Sequence, residues 1–457
     1  MRTDVWGLFL VAGLVGCVDE APSHDGGLDK VATSETYEFA SRFSPGESSV
    51  AYVGQAARHL LIRELTARIG RIDDDRLTGR SADGLKASFV FVYDFKTESG
   101  ASPEEPITID AFGTPLVQQT IGEIGLASLR DKTRDHDLND ASPVIGWKDD
   151  DASASAVAED MIDDLVGALV ERQTAIPQGP SGEPITAAWV SAEGIDYQAL
   201  LGTYLHGAVA FSQSADDYID DDTPGKGLLA DNLVPVEGKP YTDLEHTWDE
   251  AFGYFGAARS YGTQDLDENS RGFVDVDGDG KANWLVEVNF GYSRDAAALD
   301  AESVTSTAFG KEAFAAFLAG RQLITSADGA LSASQLEALR GFRDVAEQRW
   351  EKAIAASCIR STNALLRALE TDGGAAGFIE RARWWSTLKG ELLTLQFNPR
   401  SPLLRQGDVD YAAAHNLVGD APVINSADFA DAAAKLFTLK ALLAEVYGFS
   451  DADVAAW

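Results

Sequence analysis

Apolar residues recur at helical spacing along most of the chain. The stretch Ser49 to Ile69, SVAYVGQAARHLLIRELTARI, shows the pattern, and so do 156–175, 196–219, 242–260, 309–323, 333–369, 376–397 and 428–447. Each predicts an amphipathic helix. Segment 333–369 predicts the longest one, being rich in Ala, Leu, Glu and Arg and preceded by SASQ, which offers a serine cap. Between 97 and 151 the pattern fails. Gly, Pro, Asp and Thr crowd that stretch, which predicts a long irregular excursion. Two short apolar runs, SFVFVYDF (88–95) and WLVEVNF (284–290), read equally as strand or helix. Strands alternating with helices are absent, which disfavours a doubly wound sheet. The predicted fold class is all-α, a multi-helix bundle with a long irregular excursion. It fills 36–457 as one helical domain or as two halves meeting near 225–300.

One stretch repeats faintly. Trp248 stands five residues before Gly253, and Trp385 five before Gly390, so HTWDEAFGYFG lies over RWWSTLKGELL. The echo suggests duplication of a helical unit.

The first copy carries candidate chemistry. In TDLEHTWDEAFGYFG, Thr242 and Glu245 have the spacing of a capping box, which accounts for Glu245. Leu244, Trp248, Ala251, Phe252 and Phe255 fall on one helical face, and His246, Asp249, Glu250, Gly253 and Ala257 on the other. His246 is one turn from both Asp249 and Glu250. The three are candidate metal ligands, or else a histidine hydrogen-bonded to carboxylates on a partly wet face. One helix supplies two or three ligands at most, so a metal there needs donors from another helix. His59 and Glu64 in the first long helix are candidates, as is His206. The small Gly253 and Ala257 predict close packing on this side.

DVDGDGKAN, Asp275 to Asn283, is the sharpest motif. Asp275, Asp277 and Asp279 alternate, so their carboxylates can turn to one centre. Gly280 permits the tight turn, Lys281 can lend its carbonyl and Asn283 its side-chain oxygen. Hard oxygen donors at this spacing suit calcium. An EF-hand closes with glutamate at the twelfth position. Here Val286 stands there and Glu287 follows one residue late. The spacing is closer to shorter extracellular calcium loops, with a structural role for the ion.

Acidic residues outnumber basic ones 73 to 37, a net charge of -36. Such a surface repels phosphate backbones and excludes nucleic acid as a partner. The chain lacks a Gly-x-Ser-x-Gly elbow, a His-Glu-x-x-His motif and a phosphate loop, and no catalytic residue is assigned.

The N-terminal run Val5 to Gly16 is too short to span a bilayer and has the length of a secretion-signal core. It ends in Leu14-Val15-Gly16-Cys17, which resembles the bacterial lipobox. That resemblance implies a signal peptide over 1–16, lipidation of Cys17, anchorage to a lipid bilayer and a cell-envelope address. Residues 17–35 then read as a flexible tether. Cys358 is the other of the two cysteines, so no internal disulfide is expected, and its apolar helical setting predicts a buried side chain.

The blocks SSVAYVGQAARHLLIREL, HTWDEAFGYFG and DVDGDGKANWLVEVNFG resemble, in that order, an uncharacterised bacterial lipoprotein family, the domain of unknown function 4856. No activity attaches to that family. A remoter similarity is to imelysin-like envelope proteins, which are helical, associated with iron uptake and also grouped with peptidases. Their Gly-x-His-x-x-Glu motif falls on Leu244 to Asp249, where the histidine fits, the glycine does not, and Asp replaces Glu.

The resulting expectation is a lipid-anchored envelope binding protein, stabilised by calcium and handling iron, another metal or a metal-containing ligand. Its partner would be a small ligand or an envelope protein. Two alternatives stay open. One is a metal-dependent hydrolase of imelysin/peptidase-like type. The other is an adhesion or scaffold protein whose only ion is calcium.

Overall fold

The computed structural model describes residues 35–95, 113–120, 123, 128–137, 142–148, 150–327, 329–371, 373–404 and 408–457. The predicted signal segment, Cys17, the predicted tether up to residue 34 and much of the predicted 97–151 excursion lie outside the described residues. What is described is all-α: helices joined by turns and isolated bridges, with no strand among the described residues.

The principal helices are α1 (Val53–Gly70), α2 (Ala82–Tyr93), α3 (Ala154–Thr174), α4 (Tyr197–Leu205), α5 (Asp243–Phe255), α6 (Leu266–Arg271) and α7 (Gly291–Glu302). They continue with α8 (Phe309–Ser326), α9 (Ala333–Ala368), α10 (Gly374–Thr394), α11 (Asp408–Val418), α12 (Phe429–Tyr447) and α13 (Asp451–Ala456). The spine is α9, with 36 residues, about 54 Å long at the usual rise. Its capping box pairs Ser332 with Gln335. It packs against α7, α8, α10, α12 and α13. Trp350, Ile354 and Cys358 are buried along it, and burial pushes the Cys358 thiol well above its usual range.

Two further packing units flank the neighbours of this spine, and Phe255 of α5 reaches Trp350 on the spine itself. One is α5, packed between α1 and α8; the other is α4, packed against α1, α3 and α10. Both rely on bare backbone at a crossing. A Cβ on Gly253 would lie 2.6 Å from that of Tyr52 in the turn before α1, and one on Gly390 would collide with Thr203 of α4. The expected close approach beside Gly253 is therefore present, and its counterpart five residues after Trp385 makes a second one. The two tryptophans also act alike. Trp248 Nε1 donates to Phe317 O at 2.8 Å, and Trp385 Nε1 to Val418 O at 3.2 Å.

The two ambiguous runs resolve differently. SFVFVYDF lies mostly in α2, whose cap Ser81 accepts from Gly84 N and whose Leu85, Phe89 and Val92 are buried. WLVEVNF is a turn followed by one antiparallel bridge, Phe273 to Val288. The segment 196–219 begins as α4 but continues in π-helical turns over His206–Phe211 and Ser214–Tyr218. Helix α7 carries no sequence signal strong enough to have been expected.

Candidate metal centre

The acidic loop is pinched at its base and braced along its side. Helix α6 ends at Gly272, with φ +86°. Asn289 N then donates to Gly272 O at 2.8 Å beside the Phe273–Val288 bridge. Residues 113–120 run alongside: Ala282 N donates to Pro115 O at 2.8 Å, and Val117 N to Ala282 O at 2.9 Å. Gln118 accepts from Trp284 N and donates to Asn283 Oδ1.

Within that frame the loop folds around its own carboxylates. Asp275 accepts from Gly278 N at 2.8 Å and Gly280 N at 2.9 Å. Both glycines are left-handed, with φ of +75° and +76°, which L side chains adopt at a cost. Glu287, 3% exposed, accepts from Val276 N at 2.9 Å and Asn283 N at 2.8 Å. Carboxylate oxygens of Asp275, Asp277 and Glu287 thereby come within 4.8 Å of one another. Among the described residues, no other three His, Cys, Asp or Glu side chains gather in this way.

The remaining predicted ligands stand otherwise. Asp279 accepts from Lys281 N at 2.7 Å, and Asn283 Oδ1 is engaged by Gln118 and by Leu285 N. Glu287, one residue late by sequence spacing, is drawn in because the bridge at Val288 folds the chain back on Val276. The cluster offers carboxylate oxygens alone, two of its three members already held in place by backbone amides. Hard oxygen donors gathered in this way are those that a divalent cation of calcium type takes, so the donor set fits calcium.

Helix α5 has the predicted capping box: Glu245 N donates to Thr242 Oγ1 and Thr242 N to Glu245 Oε2. Its three candidate ligands part company. Asp249 is buried; it accepts from Arg321 Nε and Tyr37 OH, each at 2.8 Å, and from Ala51 N at 3.1 Å. Arg321 is itself fully buried, also donating to Glu245 at 3.1 Å and to Ser49 Oγ at 2.8 Å. Burial raises the Asp249 pKa, and Arg321 opposes that rise. This carboxylate is the anion of a structural ion pair.

His246 is partly exposed at the edge. Its Nδ1 lies 3.0 Å from Ala51 O, which only accepts, so Nδ1 carries the proton. Its Nε2 is 3.8 Å from Glu250 Oε1, and Glu250 accepts from Gln55 at 2.8 Å. The ring stacks on Tyr241.

The second-helix candidates do not reach His246. His59 is buried, its Nε2 donating to Tyr254 O at 3.0 Å and its ring stacked on Phe290. It meets His206 instead, at 5.5 Å between ring centroids. Burial lowers the His59 pKa to about 3 and the His206 pKa to about 4, so both rings are neutral. Glu64 accepts from Arg68 and Arg71. Arg321, Tyr37 and Gln118 were not singled out from the sequence. Each acts on a partner far along the chain, and no local spacing marks such pairs.

Residues 151–347 match the family described as Domain of unknown function (DUF4856). The span contains α5 and the acidic loop but not α1, so it is narrower than the run of blocks quoted from the sequence. No curated protein and no solved structure matches the chain.

Proposed function

We propose that this chain is a calcium-stabilised binding protein of the cell envelope, anchored to a lipid bilayer through acylated Cys17. The observation that carries it is the convergence of Asp275, Asp277 and Glu287 within 4.8 Å. Calcium at extracellular concentrations suits a loop of this kind. The lipobox-like Leu14 to Cys17 supports the address.

Binding, in preference to pure scaffolding, is supported by what the loop holds. Trp284 stacks on Phe290 at 5.3 Å, and Arg63 lies over the Trp284 ring at 5.0 Å. Phe290 and Arg63 both line a cleft of 670 Å³. An ion that fixes the loop therefore also fixes part of a cleft wall. Iron or another transition metal at His246 has no comparable support, because Asp249 is committed to Arg321.

The test is thermal unfolding of chelator-treated protein with and without added calcium. Saturating calcium at a hundred times Kd should stabilise by about 2.7 kcal/mol, and Asp277→Ala should abolish the shift. An unchanged melting temperature in the wild-type protein refutes the calcium reading.

A further inference from the structure

The 670 Å³ cleft lies between α1, α4, α7 and α10. On a chain of net charge -36, its charged side chains run the other way. Arg63, Arg294 and Arg383 face two carboxylates, Asp196 and Asp295. Asp196 caps α4 by accepting from Ala199 N at 3.0 Å, and Asp295 lies 3.1 Å from Arg294.

The N-terminus of α7 opens on the same cleft. This 12-residue helix has Phe290 at its cap position, whose side chain makes no cap bond; Ser293 N turns back to Phe290 O at 3.1 Å, ahead of which stand the amides of Gly291 and Tyr292. First-turn amides have no partner within a helix, and that end carries partial positive charge. Its first residue is Gly291, with φ +44°. A Cβ there would come within 2.8 Å of His206 Nδ1, so the His206 ring packs directly on this glycine at the helix end.

A separate observation falls on the same spot. His206 Nδ1 is buried and has no hydrogen-bond partner in the fold. Its residue opens the π-helical stretch His206–Phe211, a distortion that is frequent at functional sites. Trp189 and Phe290 supply apolar wall.

We infer that this cleft binds a small organic anion, its carboxylate or phosphate head on the α7 N-terminus between Arg294 and Arg383 and its apolar body against Trp189 and Phe290. The chemistry is that of anion capture at helix N-termini, reinforced by guanidinium donors. The inference deepens the binding-protein reading and does not depend on the ion.

Titration calorimetry on the mature chain tests it, with phenyl phosphate and benzoate as probes and inorganic phosphate and acetate as heads alone. Saturable one-to-one binding of an aryl anion is expected, tighter than its bare head and weakened by salt. The better of phenyl phosphate and benzoate identifies the head group. Arg383→Gln, at an exposed side chain, should weaken binding about tenfold, and Arg294→Gln similarly. Arg271→Gln, at an exposed arginine outside the cleft, should leave it unchanged. No saturable binding up to about 10 mM, or equal binding by the Arg383 and Arg294 variants, overturns the inference. Calcium titration of the same sample reads the loop separately, so a failed cleft and a failed loop are told apart.

Discussion

Arg321 and Asp249 form an ion pair with no solvent exposure on either side chain, Nε to Oδ1 at 2.8 Å. The pair joins α8 to α5, and Tyr37, Ser49 and Ala51 bind to it from the segment before α1. Removing one partner leaves a buried charge without compensation. Arg321→Met should therefore destabilise by about 3–5 kcal/mol, measured by urea unfolding. Asp249→Asn should cost less, since the amide oxygen can still accept. Calcium binding should survive both. A loss below about 1 kcal/mol for Arg321→Met would show that the pair does not carry the α5–α8 contact.

The acidic loop separates two kinds of carboxylate. Asp277 is exposed and accepts from Asp279 N within the loop, so Asp277→Ala should change stability little without calcium and remove the calcium response. Glu287 holds two backbone amides with or without an ion. Glu287→Gln keeps one acceptor oxygen, so one amide loses its partner, at about 1–3 kcal/mol. Unfolding of both variants in chelator and in calcium distinguishes them. Equal behaviour in chelator would contradict the assignment.

What the sequence revealed follows from which interactions are local. Helix α5 was legible because its determinants sit inside it: the Thr242–Glu245 box at one end and left-handed Gly256 at the other. The commitment of Asp249 was not legible for the complementary reason. Its one-turn spacing from His246 is visible, whereas Arg321, 72 residues on, is not. Helix α7 was missed because GYSRDAAALDAE opens without a Ser, Thr, Asp or Asn cap. That same uncapped start faces the cleft, so the feature that hid the helix is the one that gives it an anion-binding end. The echo between Trp248 and Trp385 had two matched residues, yet the matches fall on the groups that do equivalent work, an indole N–H to a distant carbonyl and a glycine at a helix crossing.

The Trp248 ring leaves no room opposite it. A Cβ on Gly320 of α8 would overlap the indole at Cζ2 and come within 2.7 Å of Cε2. Gly320→Ala gains helix propensity but forces the ring or α8 to move. We expect a net loss of about 1–3 kcal/mol, read from the denaturation midpoint. Gly341→Ala, where nothing lies within 4 Å of the added carbon, should instead stabilise by roughly 0.5–1 kcal/mol. Similar effects at the two positions would refute the packing argument.

Glu391 in α10 gives the clearest pH dependence. It is buried, Ser361 hydrogen-bonds to it, and its Oε2 has no partner. Burial raises its pKa from 4.5 to about 8, against a smaller pull from Ser361 and Arg360. At neutral pH the folded chain thus keeps a proton there that the unfolded chain has released. The contribution is intact below about pH 4.5 and is lost as pH rises towards about 8. The ceiling on the slope is about 1.4 kcal/mol per pH unit. Glu391→Gln has no proton to lose. The stability of wild type relative to this variant should therefore fall between pH 5 and pH 8, by an amount on the order of 2–4 kcal/mol, measured by urea unfolding at each pH. Parallel profiles for the two proteins would mean that Glu391 ionises in the folded state at its ordinary pKa.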